Sequence, residues 1–239
     1  MLRFHLLGFP VQIHWIFWFN TALMGGALEA NTPAELRRLL AWVAAVLVSI
    51  LIHELGHALT MRNFGDRRVE IILFAFGGMA MGSRMRSRNQ SLMITAGGPV
   101  LQILAGLVVG WSLTLWRPPT LWLHQFMDAF TVVSLFWALL NLVPVLPLDG
   151  GRLCQTALGP ARHKETLTIS LVCAVVLAGL SFERELWLGL QNGVLNLLDI
   201  HAVNRIGGGL FTLILFGMMA MNNWRQLREE PQIPWMNGR

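Results

Sequence analysis

Apolar residues in this chain come in long runs separated by short polar stretches. Runs of about 20 residues match the length an α-helix needs to cross the roughly 30 Å hydrocarbon layer of a bilayer. Six such runs are legible, at about residues 9–28, 39–61, 91–116, 122–143, 165–182 and 206–222. Asn31-Thr32-Pro33 is a helix-start signal before the second, Pro118-Pro119 forces a turn after the third, and Pro144 and Pro147 stop the fourth. Between the second and third runs, residues 69–82 are too few to cross a membrane. They open with β-branched and aromatic residues and contain Gly77-Gly78, a pattern of a hairpin or re-entrant element. A bare sheet edge cannot face lipid, so that element must be covered by protein or line a wet cavity. Residues 183–205 mix polar and apolar positions and read as an interfacial helix. Gly98, Gly106 and Gly110 form a small-residue stripe suited to close helix packing. The expected fold is an all-α polytopic membrane protein. It has about six transmembrane helices, a small re-entrant β-hairpin between the second and third, one membrane-embedded domain over residues 1–239, and a short polar tail at 223–239.

Composition supports this picture. Of 239 residues, 54% are hydrophobic and 13% charged, against about 25% charged in soluble domains. Lys164 is the only lysine, so the net charge of +5 comes almost entirely from arginine. No basic module rich in aromatic residues is present, which argues against nucleic acid as a partner; arginines that orient membrane helices explain the excess. If both termini are cytoplasmic, Arg3, the six arginines from Arg62 to Arg88, Arg152, Arg162, Lys164, Arg225, Arg228 and Arg239 share that side. These are thirteen of the 18 basic residues. The expected location is a multi-pass protein of a prokaryotic inner membrane with both termini inside. No small-residue cleavage site follows the first run, so a cleaved signal peptide is not expected. Cys154 and Cys173 lack the spacing of a disulfide framework or a cysteine metal site.

The chemistry concentrates in the second run, at His53-Glu54-Leu55-Gly56-His57. On a helix, residues i and i+4 share a face, so His53 and His57 can hold one metal ion. Glu54, about 100° around from His53, stands where it can deprotonate a metal-bound water. This is the H-E-x-x-H zinc-hydrolase spacing, and a glutamate in an apolar span is costly without a partner or a task. A catalytic zinc takes three protein ligands and leaves one position open. The second and fourth runs point the same way, so Asp149, just beyond the fourth, reaches the depth of the histidines. It follows the proline break and precedes Gly150-Gly151, which makes it the strongest third ligand. His5, His14, His124, His163 and His201 read as ordinary hydrogen-bonded residues.

Together these residues resemble the site-2 protease family of intramembrane zinc metalloproteases. The resemblance rests on His53-Glu54-Leu-Gly-His57 in one span and Asn141-x-x-Pro144-x-x-Pro147-Leu-Asp149-Gly150 two spans later. Phe76-Gly77-Gly78 and Gly98-Pro99 add supporting pattern. It implies one zinc ion held by His53, His57 and Asp149, with Glu54 as catalytic glutamate. It also implies that Asn141 contacts the substrate backbone or the oxyanion, and that the re-entrant β-element spans about 69–82. Many members have an asparagine three residues after the Gly-Pro; here Gln102 stands there and keeps an amide. The spacers are too short for a PDZ insertion and the tail too short for a CBS domain, as in a minimal core whose site occupies about residues 39–152.

The expected activity is zinc-dependent hydrolysis of a peptide bond in or near a transmembrane segment of a membrane-protein substrate, within the lipid bilayer. Two alternatives differ in class: a non-catalytic zinc-binding membrane protein, and a zinc hydrolase of a non-peptide membrane substrate. Substrate identity and oligomeric state are not legible in the chain.

Overall fold

A computed structural model of the chain describes residues 1–75, 77–83, 86–182 and 209–229. These residues form two compact units, residues 1–142 and the described residues from 143 onward.

The first unit combines a small mixed sheet with helices. Strands β1 (Leu2–Leu6) and β2 (Phe9–Ile13) form an antiparallel hairpin in which Leu6 faces Phe9. Its turn residues Leu7 and Gly8 have φ of 52° and 85°, the double positive φ of a two-residue turn that matches strand twist. Helix α1 (Trp15–Met24) follows, then the long α2 (Pro33–Asn63). Strand β3 (Glu70–Phe74) returns parallel to β2, and β4 (Gly77–Met81) pairs antiparallel with β3, giving the order β1-β2-β3-β4. Phe9, Val11, Ile13, Ile71 and Leu73 from one sheet face pack with Ile50, Leu55, Ala58 and Met61 of α2. Helices α3 (Arg88–Leu115) and α4 (Leu121–Asn141) complete the unit.

Reciprocal caps start the two longest helices. Thr32 and Glu35 cap α2, and Ser87 and Gln90 cap α3, with both arms of each capping box formed. The glycine stripe of α3 serves two neighbours. Gly98 lies against His57 of α2, while a Cβ on Gly106 would stand 2.9 Å from Ser134 Cβ and one on Gly110 2.8 Å from Thr131 Cγ2, both on α4. Contacts along α3 run backward against both α2 and α4, so α2 and α4 are parallel to each other and antiparallel to α3.

The structure differs from the sequence reading at residues 9–28. Phe9–Ile13 is a strand, and the helix that follows has only 10 residues, about 15 Å at 1.5 Å per residue. Pro10 withholds a backbone donor, and Phe9, Val11 and Ile13 are buried while Pro10 and Gln12 are half-buried. That is the period of two of a strand. The expected hairpin at 69–82 is present as β3 and β4, within a four-stranded sheet.

The second unit holds α5 (Asp149–Leu158), a 3-10 turn (Pro160–Arg162), α6 (His163–Phe182) and α7 (Gly209–Arg228). Helices α6 and α7 pack on each other. Both grip the chain ahead of α5: Ser170 Oγ accepts from Leu146 N at 3.1 Å, and Asn223 Nδ2 donates to Leu146 O at 3.0 Å. The Leu146–Pro147 peptide is cis. A Cβ on Gly151 would run into the backbone of Val145 and Leu146, so the first turn of α5 folds tightly back on this segment.

Among the described residues, four helical stretches are long and apolar enough to cross a membrane: Pro33–Asn63, Arg88–Leu115, Leu121–Asn141 and Pro160–Leu180. Helix α7, expected over 206–222, ends six residues later and carries Arg225 and Arg228 in its last turn. The interfacial helix expected at 183–205 lies outside the described residues.

Candidate metal centre

His53, Glu54 and His57 lie in the last third of α2, all buried. Their surroundings are set by glycine. A Cβ on Gly56 would stand 2.8 Å from Gly98 Cα, and one on Gly98 would stand 2.6 Å from His57 Cε1. The absence of side chains at Gly56, Gly97 and Gly98 lets α2 and α3 approach backbone to backbone and leaves room for the His57 ring.

Each histidine is held through Nδ1. His57 Nδ1 lies 2.7 Å from Ile94 O; a carbonyl only accepts, so this nitrogen donates. His53 Nδ1 lies 2.8 Å from Gln102 Oε1, and the Gln102 amide nitrogen donates to Ser49 Oγ at 2.9 Å. The amide oxygen therefore accepts from His53. With the proton on each Nδ1, each neutral ring turns an acceptor nitrogen inward, and the two Nε2 atoms face each other at 3.1 Å. Two acceptors at that distance require a bridging proton or cation. Two nitrogens on a tetrahedral zinc at about 2.0–2.1 Å lie roughly 3.3 Å apart, so the pair fits zinc.

Glu54, 3% exposed, is covered by the sheet: a Cβ on Gly78 of β4 would stand 2.6 Å from Glu54 Oε1. Only a glycine lets the β4 backbone lie on the carboxylate. The loops that flank the sheet are tied at Asp66, which is buried. It accepts from Ser83 N at 2.8 Å and Ser83 Oγ at 3.2 Å, and pairs with Arg86 at 3.4 Å.

Asn141 is the last residue of α4 and half-buried. The Ser49–Ser134 contact, 2.9 Å between the two hydroxyl oxygens, fixes its level. Asn141 lies seven residues beyond Ser134, and Gly56 seven beyond Ser49 on the parallel helix. Both are about 10 Å further along, which brings Asn141 level with His57. Asp149 belongs to the second unit, where it is buried and opens α5.

The structure thus brings His53, Glu54, His57 and Gln102 together within one unit. Sequence reasoning singled out Gln102 only as a retained amide and passed over Ser49 and Ser134. The available signal was the occurrence of three polar residues inside apolar spans, where such groups require partners. Among the described residues, three further histidines have local partners, with His163 Nδ1 lying 3.1 Å from Gln155 Nε2. His14 caps α1 through Nδ1, and His124 pairs with Asp128 at 2.9 Å.

A family profile described as peptidase family M50 matches residues 41–120 and 117–181. The chain is 25% identical to the zinc metalloprotease MJ0392 of Methanocaldococcus jannaschii over 169 residues, covering 65% of this chain and 44% of that protein. It is 31% identical to the protein Rip3 of Mycobacterium tuberculosis over 209 residues, 79% of this chain and 53% of that one. With stage IV sporulation protein FB of Bacillus subtilis it shares 30% identity over 145 residues, 60% and 46% of the two chains. The chain spans about half the length of these curated relatives. Its fold is similar to the solved site-2 protease from Methanocaldococcus jannaschii, with a TM-score of 0.59, 21% identity, and coverage of 92% of this chain and 94% of that one.

Proposed function

This chain belongs to peptidase family M50, and we propose on that premise that it is an intramembrane zinc endopeptidase. It hydrolyses a peptide bond in or near a transmembrane segment of a membrane-protein substrate. The observation that carries this reading is the facing pair of Nε2 atoms with Glu54 adjoining them on the same helix.

His53, His57 and Asp149 are the proposed ligands of one zinc ion. Support for the two histidines is their shared tautomer and 3.1 Å separation. Support for Asp149 is its burial and the well-held turn that precedes it. When bound, zinc makes water acidic enough to ionise near neutral pH and polarises the scissile carbonyl. Glu54 would take a proton from the attacking water and later deliver it to the leaving amine. Its buried position beneath Gly78 fixes where the carboxylate sits. The Asn141 amide, level with His57, holds the substrate backbone or donates to the developing oxyanion.

A helical substrate hides its carbonyls in its own hydrogen bonds and has to unwind. Strand β4, an edge strand of the sheet and the one that covers Glu54, is placed to receive the extended segment by strand addition. The chain is an integral membrane protein. We place both termini on the cytoplasmic side of a prokaryotic inner membrane, with an even number of crossings, from the arginine distribution.

The test is metal-dependent cleavage. Purified protein should carry about one zinc per chain. A chelator should stop cleavage of single-span membrane proteins, and added zinc should restore it. His53→Ala and Asp149→Ala should each lose the metal. Cleavage that persists in fully zinc-free protein would refute the reading.

A further inference from the structure

A buried polar chain runs from the metal centre across three helices. His53 Nδ1 meets Gln102 Oε1 at 2.8 Å, Gln102 Nε2 meets Ser49 Oγ at 2.9 Å, and Ser49 Oγ meets Ser134 Oγ at 2.9 Å. Gln102, Ser49 and Ser134 are each 0% exposed. Inside largely apolar helices, buried polar groups persist only when they are hydrogen-bonded.

We propose that Gln102 is a positioning residue for the metal centre. It holds His53 with its proton on Nδ1 and its lone pair on Nε2, and Ser49 and Ser134 fix which end of the amide faces the ring. This rests on the zinc reading above. A neutral imidazole can carry its proton on either nitrogen. If the amide were turned over, its N–H would point at His53 Nδ1, the proton would move to Nε2, and the ligand atom would be lost. The chain therefore has two senses. In the sense observed, Gln102 donates to Ser49, which leaves the Ser49 hydroxyl to donate toward Ser134.

His57 needs no such device, because its Nδ1 donates to the main-chain carbonyl of Ile94, a group that cannot be turned over. The two rings are thus oriented by different means, and only that of His53 can be altered by a side-chain substitution. Through Ser134, the setting of His53 also depends on α4, the helix that ends at Asn141.

The test compares wild type with Gln102→Met, which keeps the bulk but loses the acceptor, and Gln102→Glu, which retains an acceptor oxygen. Two quantities are read: zinc affinity by competition with a chromophoric chelator, and the His53 tautomer by nitrogen NMR of metal-free, histidine-labelled protein. The His53 signal is identified by its absence in His53→Gln. Wild type should show a protonated Nδ1. Gln102→Met should lose that tautomer preference and bind zinc about 10- to 100-fold more weakly. Gln102→Glu should stay within a few-fold of wild type, which separates loss of the acceptor from loss of the fold. Wild-type affinity and an unchanged tautomer in Gln102→Met would overturn the proposal while leaving the zinc reading intact. A wild-type protein that binds no zinc would overturn the zinc reading, and the tautomer measurement would still decide the role of Gln102.

Discussion

Two glycines separate the functions of the residues around them. Gly98 makes room for His57, and Gly78 makes room for Glu54. Gly98→Ala forces the added methyl into the imidazole ring, with the α2 and α3 backbones already in contact. It should lower zinc occupancy, read by metal analysis of purified protein. Gly78→Ala presses on Glu54 from β4, the three atoms nearest the added methyl all belonging to that side chain. It should cut cleavage at least tenfold while zinc stays near one ion per chain, because a misplaced base costs about one to two orders of magnitude or more. Equal zinc loss in both variants would contradict this division. The meeting of His53 and His57 beside Glu54 was legible in the sequence because helical spacing alone puts the two rings on one face. Gln102, Ser49 and Ser134 were not, because their meeting depends on how far α3 is set along α2 and α4, and no local pattern encodes that offset.

At the scale of elements, the capping boxes and the metal centre make separable contributions. Thr32→Ala removes the side chain that caps α2 about six turns before His53. It should lower thermal stability by roughly 1 kcal/mol and leave zinc affinity unchanged, measured by thermal unfolding in detergent beside metal titration. In the second unit, Asn223 donates to both Leu146 O and Met219 O. Asn223→Leu leaves the Leu146 carbonyl without this donor, at a cost of about 1–3 kcal/mol. If Asp149 is a ligand, zinc affinity should fall with it. The long helices and the 69–82 hairpin were legible, since spanning runs and a Gly-Gly break are strong local signals. The run at 9–28 was misleading. Summed over 20 residues it is as apolar as a span, yet Pro10 and the alternation through Gln12 mark a strand, and the strand's partners are the distant residues 71–73 and the N-terminal residues 2–6.

For the whole molecule, the directions of α2, α3 and α4 combine with the arginine distribution to predict a topology. In a background with Cys154 and Cys173 replaced by alanine, Thr120→Cys should react with a membrane-impermeant maleimide added outside intact cells. Asn89→Cys, at the opposite end of α3, should react only after the cells are opened. The reverse pattern would invert the topology and place the metal centre toward the other face. The depth of the centre follows from this, because His53 and His57 lie near the end of α2 that adjoins Arg62, Arg67 and Arg68.

The central claim is that Glu54 performs proton transfer at a zinc held by its neighbours. Its most direct test is Glu54→Gln, purified beside wild type and assayed for bound zinc and for cleavage of single-span membrane proteins. The substitution keeps size and burial and removes the basic oxygen. The expected result is about one zinc per chain with cleavage abolished. Cleavage at the wild-type rate by the Glu54→Gln protein would contradict the claim.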